Sequence, residues 1–96
     1  ASLAEAGIFD SDLRGANLDE FRMIEGIIEK CNMKGASLRN AYLGDGHIFS
    51  TYLQNANLSG CVGEICMRNV DLTGAIGFNL SLTRAGYSNL TLPDGR

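Results

Sequence analysis

Ninety-six residues with 45% hydrophobic content suffice for one domain, but no Trp, four Phe, three Tyr and twelve Gly argue against a core built on aromatic anchors. The net charge of −3 speaks against a nucleic-acid binder, which would show a basic patch. Three Cys do not make a disulfide scaffold, and no apolar run approaches the roughly 18 residues of a membrane span.

From the start, the chain repeats every five residues. Positions 3, 8, 13, 18, 23, 28, 33, 38, 43, 48, 53 and 58 are all Leu, Ile or Met. Two residues before each sits a smaller group: Ala1, Ala6, Ser11, Ala16, Gly26, Cys31, Ala36, Ala41, Gly46, Thr51 and Ala56, with Phe21 as the misfit. The other three positions of each quintet are mostly polar or Gly.

After Leu58 the register slips by one residue. Val62, Met67, Leu72, Leu82, Tyr87 and Leu92 restore the period one position earlier, which places a single deletion near residues 59–61. Gly77 interrupts this second run, with Phe78 beside it. A longer period lies over the first: LRGANL (13–18), MKGASL (33–38), LQNANL (53–58) and LTGAIG (72–77) recur at about twenty residues, so four quintets make one larger unit.

Five residues turn an α-helix by about 500°, so every fifth side chain drifts around it instead of marking one face. An odd spacing equally defeats strand alternation, because it sends successive large residues to opposite faces. A coil with four nearly identical sides satisfies the pattern. Each quintet then forms one side, with its large residue and the small residue two before it pointing inward. Successive coils hydrogen-bond at about 4.8 Å, and the chain is long enough for close to five of them.

The quintets AGIFD, SDLRG, ANLDE, ASLRN, AYLGD and ANLSG resemble those of the pentapeptide-repeat family over nearly the whole chain. That resemblance implies an all-β fold, a right-handed quadrilateral β-helix, here as a single domain over residues 1–96. LPDGR at residues 92–96 reads as its stop, with Pro93 followed by the turn-forming Asp94-Gly95. At the other end Ala1-Ser2-Leu3 already fits the repeat, and the expectation is that a further segment or a partner covers that edge.

Enzymatic chemistry is not expected. A packed coil stack offers no cavity for convergent polar groups, and the one His, His47, precedes an inward Ile48 and points outward. No cofactor, metal or small-molecule ligand is expected. Two outward columns are the candidates for partner binding. One stacks Glu5, Glu25, Asp45 and Glu64, closed by Arg84, and suits a basic partner better than calcium, since it lacks backbone carbonyl support. The other holds Phe9, Glu29, Phe49 and Arg68, with Ile24, Ile27, Tyr42 and Tyr52 also outward, a clustering that fits a face packed on a larger protein. Cys31 reads as core. Regular geometry separates Cys61 from Cys66 too far for a disulfide; the distortion of the slip region, in which both lie, can close the gap, and a bridge would imply an oxidising compartment.

Family resemblance implies a non-catalytic structural or interaction scaffold. Such proteins abound in cyanobacteria and occur in the thylakoid lumen. The expectation is an accessory subunit of a photosynthetic membrane complex there, bound to a larger protein assembly without inserting in the membrane; otherwise it is cytoplasmic. The alternative, drawn from family members with a DNA-like acidic surface, is a regulator of DNA gyrase.

Overall fold

The computed structural model describes residues 2–4 and 7–96, and side chains from residue 7 onward. Short parallel strands stack in two sheets. The first pairs β1 (Ser2–Ala4) with β3 (Arg22–Ile24). The second runs β2 (Gly7–Phe9), β4 (Ile27–Glu29), β5 (His47–Phe49), β6 (Cys66–Asp71) and β7 (Tyr87–Thr91) in that spatial order. From Gly7 to Tyr87 the chain therefore makes four turns and leaves five rungs on this side. The remaining two sides are held by single parallel bridges, such as Asp12 to Asn32 to Tyr52 to Asp71 and Asn17 to Ser37 to Asn57 to Ile76. Four sides per coil make a quadrilateral β-solenoid.

The quintet explains each side. Its central residue and the small residue two before it face a continuous core: Met23, Ile28, Met33, Leu38, Leu43, Ile48, Leu53 and Leu58 are buried, with Ala36, Ala41, Ala56, Cys31 and Thr51 beside them. The residue between these two points outward. Where it is Asn or Asp, its side-chain oxygen accepts the backbone N–H two residues on, as in Asn17 with Asp19, Asn32 with Lys34 and Asn57 with Ser59. The last residue of each side turns the corner in the left-handed region. Gly15, Gly35 and Gly60 do so without strain; Asp10, Glu20, Glu25, Lys30, Asn40, Asp45, Ser50 and Asn55 do so at a conformational cost, with φ between 51° and 62°.

Phe21, the misfit, is buried at a small-residue site, and the next rungs of that stack are Ala41 and the partly buried Cys61, which leave it room. Gly46 serves the same economy of space, because a Cβ there would run into the Met23 side chain.

Three expectations need correction. The slip lies at residues 63–65, not 59–61: Val62 still bridges Tyr42 at a spacing of twenty, whereas Cys66 pairs with His47 at nineteen. Val62 is accordingly outward and 57% exposed. The inward site passes to Gly63 at φ +139°, where a Cβ would sit 2.6 Å from the Leu43 carbonyl carbon. Beyond the slip, larger residues fill the small-residue sites: Ile65 and Val70 are buried. In the last coil Leu80–Thr83 form a turn of 3-10 helix that sends Leu82 and Thr83 inward. Finally, Tyr87 pairs with Met67 but remains 55% exposed, because no rung among the described residues stacks on β7. The molecule measures 31 × 26 × 25 Å, a block rather than a long rod.

Candidate interaction surface

The coil geometry decides which outward residues become neighbours. Glu25 and Asp45 occupy successive left-handed corners, and Glu64 follows at the slip. All three are exposed, and Glu5 lies outside the described residues. Arg84 approaches Glu64 at 3.8 Å, so the column does end in a cation. With about 4.8 Å between coils, the carboxylates repel one another and raise the local negative potential. Among the described residues no group of His, Cys, Asp and Glu has a metal-holding arrangement.

The aromatic column is less open than the sequence suggested. Phe9, 53% exposed, folds its ring back over Gly7, where no side chain stands in the way. Phe49 is half-buried: the Arg68 guanidinium lies 5.4 Å from its ring centre, and the His47 ring packs on it at 5.4 Å. Glu29 separates the two Phe residues in the stack. The column thus alternates aromatic and charged groups rather than presenting one apolar patch.

A different side brings apolar groups together. Tyr42 and Val62 are bridged neighbours, 42% and 57% exposed. The Tyr42 side chain lies along its own side of the coil over Gly44, its hydroxyl oxygen 2.5 Å from where a Cβ would be, and Gly44 in turn sits beside Ile24 in the preceding coil. Sequence reasoning had Ile24 and Tyr42 outward but assigned Val62 to the core, because the slip was placed too early.

Other surface charges are paired locally. Arg39 makes three hydrogen bonds to the Asp19 carboxylate, two from its guanidinium at 2.8 and 3.2 Å and one from its backbone N–H at 3.0 Å, and Ser37 donates to the same group. These bonds, Arg39 foremost, hold the Asp19 carboxyl down at about 2. Arg14 does the same for Asp12, also at about 2. Lys34 lies 6.0 Å from the centre of the Tyr52 ring. Cys31, Cys61 and Cys66 are free thiols, so the Cys61–Cys66 bridge that the slip could have allowed is not formed. The Cys61 thiol donates instead to the Leu38 carbonyl oxygen at 2.9 Å, in the preceding coil, and burial pushes it up from its ordinary value.

A family model for pentapeptide repeats matches residues 6–45 in eight copies. Among solved structures, the pentapeptide repeat protein Rfr23 from the cyanobacterium Cyanothece 51142 is similar, with a TM-score of 0.73 at 24% identity; the match covers 98% of this chain and 61% of that one. QnrB1, a plasmid-mediated fluoroquinolone resistance protein, in a trypsin-treated form, gives 0.56 at 17% identity over 77% of this chain and 54% of its own. At these identities the likeness is one of fold. The chain spans about three-fifths of the first relative's length and about half of the second's. A search of curated protein sequences gave no significant match.

Proposed function

Since the chain belongs to the pentapeptide-repeat family, we propose that it acts as a non-catalytic protein-interaction scaffold, and more narrowly as an accessory subunit of a photosynthetic membrane complex in the thylakoid lumen. The observation that carries the scaffold reading is the division of the quintet. Its two inward residues are consumed by a packed core, while its outward residues form ordered columns in which successive members stand about 4.8 Å apart. Such a surface recognises by shape and charge. The narrower role is supported by the cyanobacterial source of the Rfr23 relative. The free thiols lend it nothing, since no bridge calls for an oxidising compartment.

The test is to express the tagged protein in a cyanobacterium, fractionate the thylakoids and isolate its complexes. Protease protection inside intact thylakoids and co-migration with a pigment–protein assembly are expected. Recovery wholly from the cytoplasm, with no assembly attached, would overturn the lumenal role. The earlier contact candidates are tested in the same preparation: Phe9→Glu and Phe49→Glu should weaken the association without unfolding the coil.

The second reading, a DNA-mimicking regulator of DNA gyrase, is favoured by the acidic column and by the fold shared with QnrB1. A supercoiling assay decides it: no effect on gyrase at large protein excess removes this reading.

A further inference from the structure

The side that carries β1 and β3 has a composition unlike the other three. Ile24, Tyr42 and Val62, 39%, 42% and 57% exposed, form an apolar strip oblique to the stack: Val62 stands on Tyr42, and the Tyr42 ring leans over Gly44 toward Ile24. Glu25, Asp45 and Glu64 border it along one corner, each at the end of a side that carries the strip. The basic groups nearby are few. Arg22 stands beside Tyr42 in the stack, and Arg84 is engaged by Glu64.

The strip ends in a recess. Beyond Val62 the 3-10 turn at Leu80–Thr83 stands where this side would carry its next rung. A cleft of about 320 Å³ opens there, lined by Val62, Gly63, Leu82 and Cys61 on its apolar part and by Glu64, Arg84 and Ser81 at its rim. One large aliphatic side chain fits such a volume.

Resting on the scaffold reading above, we infer that this side docks a basic amphipathic α-helix of a protein partner, laid along this oblique strip. Two features select that occupant. The first is charge complementarity: an apolar strip flanked by carboxylates matches a helix whose apolar face is edged by Lys or Arg. The second is pitch. A helix advances about 5.4 Å per turn and the coils about 4.8 Å, so over three turns the two repeats drift by only about 2 Å. Side chains at i, i+3 or i+4, and i+7 therefore meet Ile24, Tyr42 and Val62 in turn, and the next apolar residue enters the cleft. Basic residues one position round the helix face Glu25, Asp45 and Glu64. The Phe9–Phe49 side offers no equivalent, because Glu29 and Arg68 interrupt its apolar groups at every second coil.

A labelled 14-residue Leu/Lys peptide with helical amphipathic spacing serves as the probe, with a scrambled peptide of identical composition beside it. In fluorescence anisotropy with the full chain, the amphipathic peptide should bind at least tenfold more tightly than the scrambled one. Val62→Ser should weaken it threefold or more, and the double change Asp45→Asn with Glu64→Gln about tenfold. Amide shifts in the unmodified protein should cluster around Ile24, Tyr42 and Val62. Equal binding of the scrambled peptide, shifts confined to the Phe9–Phe49 side, or self-association of the protein through Val62 would each overturn the inference. A complex isolated from cells that survives Val62→Ser removes the helix site but keeps the scaffold. Absence of any complex removes the scaffold itself.

Discussion

Replacing Gly63 with Ala tests the account of the slip most directly. Two costs are combined at this position. The backbone sits at φ +139°, a region reserved for glycine, and holding another residue there costs on the order of 1–3 kcal/mol. The added methyl would also lie 2.6 and 2.7 Å from the Leu43 carbonyl carbon and oxygen and 2.9 Å from the Gly44 nitrogen. These are backbone atoms of the adjacent coil, so no rotamer change relieves the overlap, and overpacking of this kind adds roughly 1–3 kcal/mol. Gly86 supplies the control. Its φ is +120°, yet nothing lies within 4 Å of a Cβ there, so Gly86→Ala carries the conformational cost alone. The difference between the two variants isolates the contact with Leu43. At about 4–8 °C per kcal/mol for a domain of this size, Gly63→Ala should melt at least about 5 °C below Gly86→Ala when followed by circular dichroism. Equal melting temperatures would refute the close approach of the coils at the slip, and with it the placement of Val62 on the surface.

Three other outcomes are expected. Lys30 sits in the left-handed region at φ 57°, so Lys30→Gly should stabilise the fold by about 0.5–1 kcal/mol and Lys30→Val should destabilise it, as read from urea midpoints. Asp19 has a folded value of about 2, below that of a free carboxyl, so the stability it contributes is present above about pH 4 and is lost as pH falls through 2. Urea midpoints taken between pH 5 and 2 should fall less steeply in Arg39→Gln than in the unmodified protein. Leu53 is fully buried in the stack, and Leu53→Ala should cost about 2–5 kcal/mol, whereas a change at exposed Tyr52 should stay within about 1 kcal/mol.

Most of the architecture could be read from spacing, because in a solenoid every coil repeats the same local solution. Leu38, Leu43 and Ile48 occupy equivalent inward sites, so one correct assignment carries to all of them. The readings failed where the repetition fails. At CVGE (61–64) the eye follows the large residue Val62, whereas the chain keeps its frame and lets Gly63 stand at the inward site. The missing residue could have been located from the recurrence of small inward groups, had Ile65 and Val70 not been too large to look the part. The 3-10 turn at Leu80–Thr83 left no periodic trace. Its only local signal is Asn79, whose side chain accepts the Ser81 N–H. The docking strip was hidden for the same reason as the slip: with Val62 assigned to the interior, Ile24 and Tyr42 looked like isolated surface residues.

The parallel register also shapes how the molecule would respond to force. Each rung is held to the rung before it by bonds to residues about twenty positions earlier, as His47 is to Ile27, with no partner further back. Pulled from its C-terminal end, such a stack yields by peeling, one coil at a time, instead of shearing as a unit. Each event frees twenty residues, or about 65–70 Å of extended chain. The coil containing the slip, which returns from His47 to Cys66, frees nineteen and gives a step shorter by about 3 Å. A single missing residue thus becomes a length mark on the extension trace, recording how far the unwinding has gone.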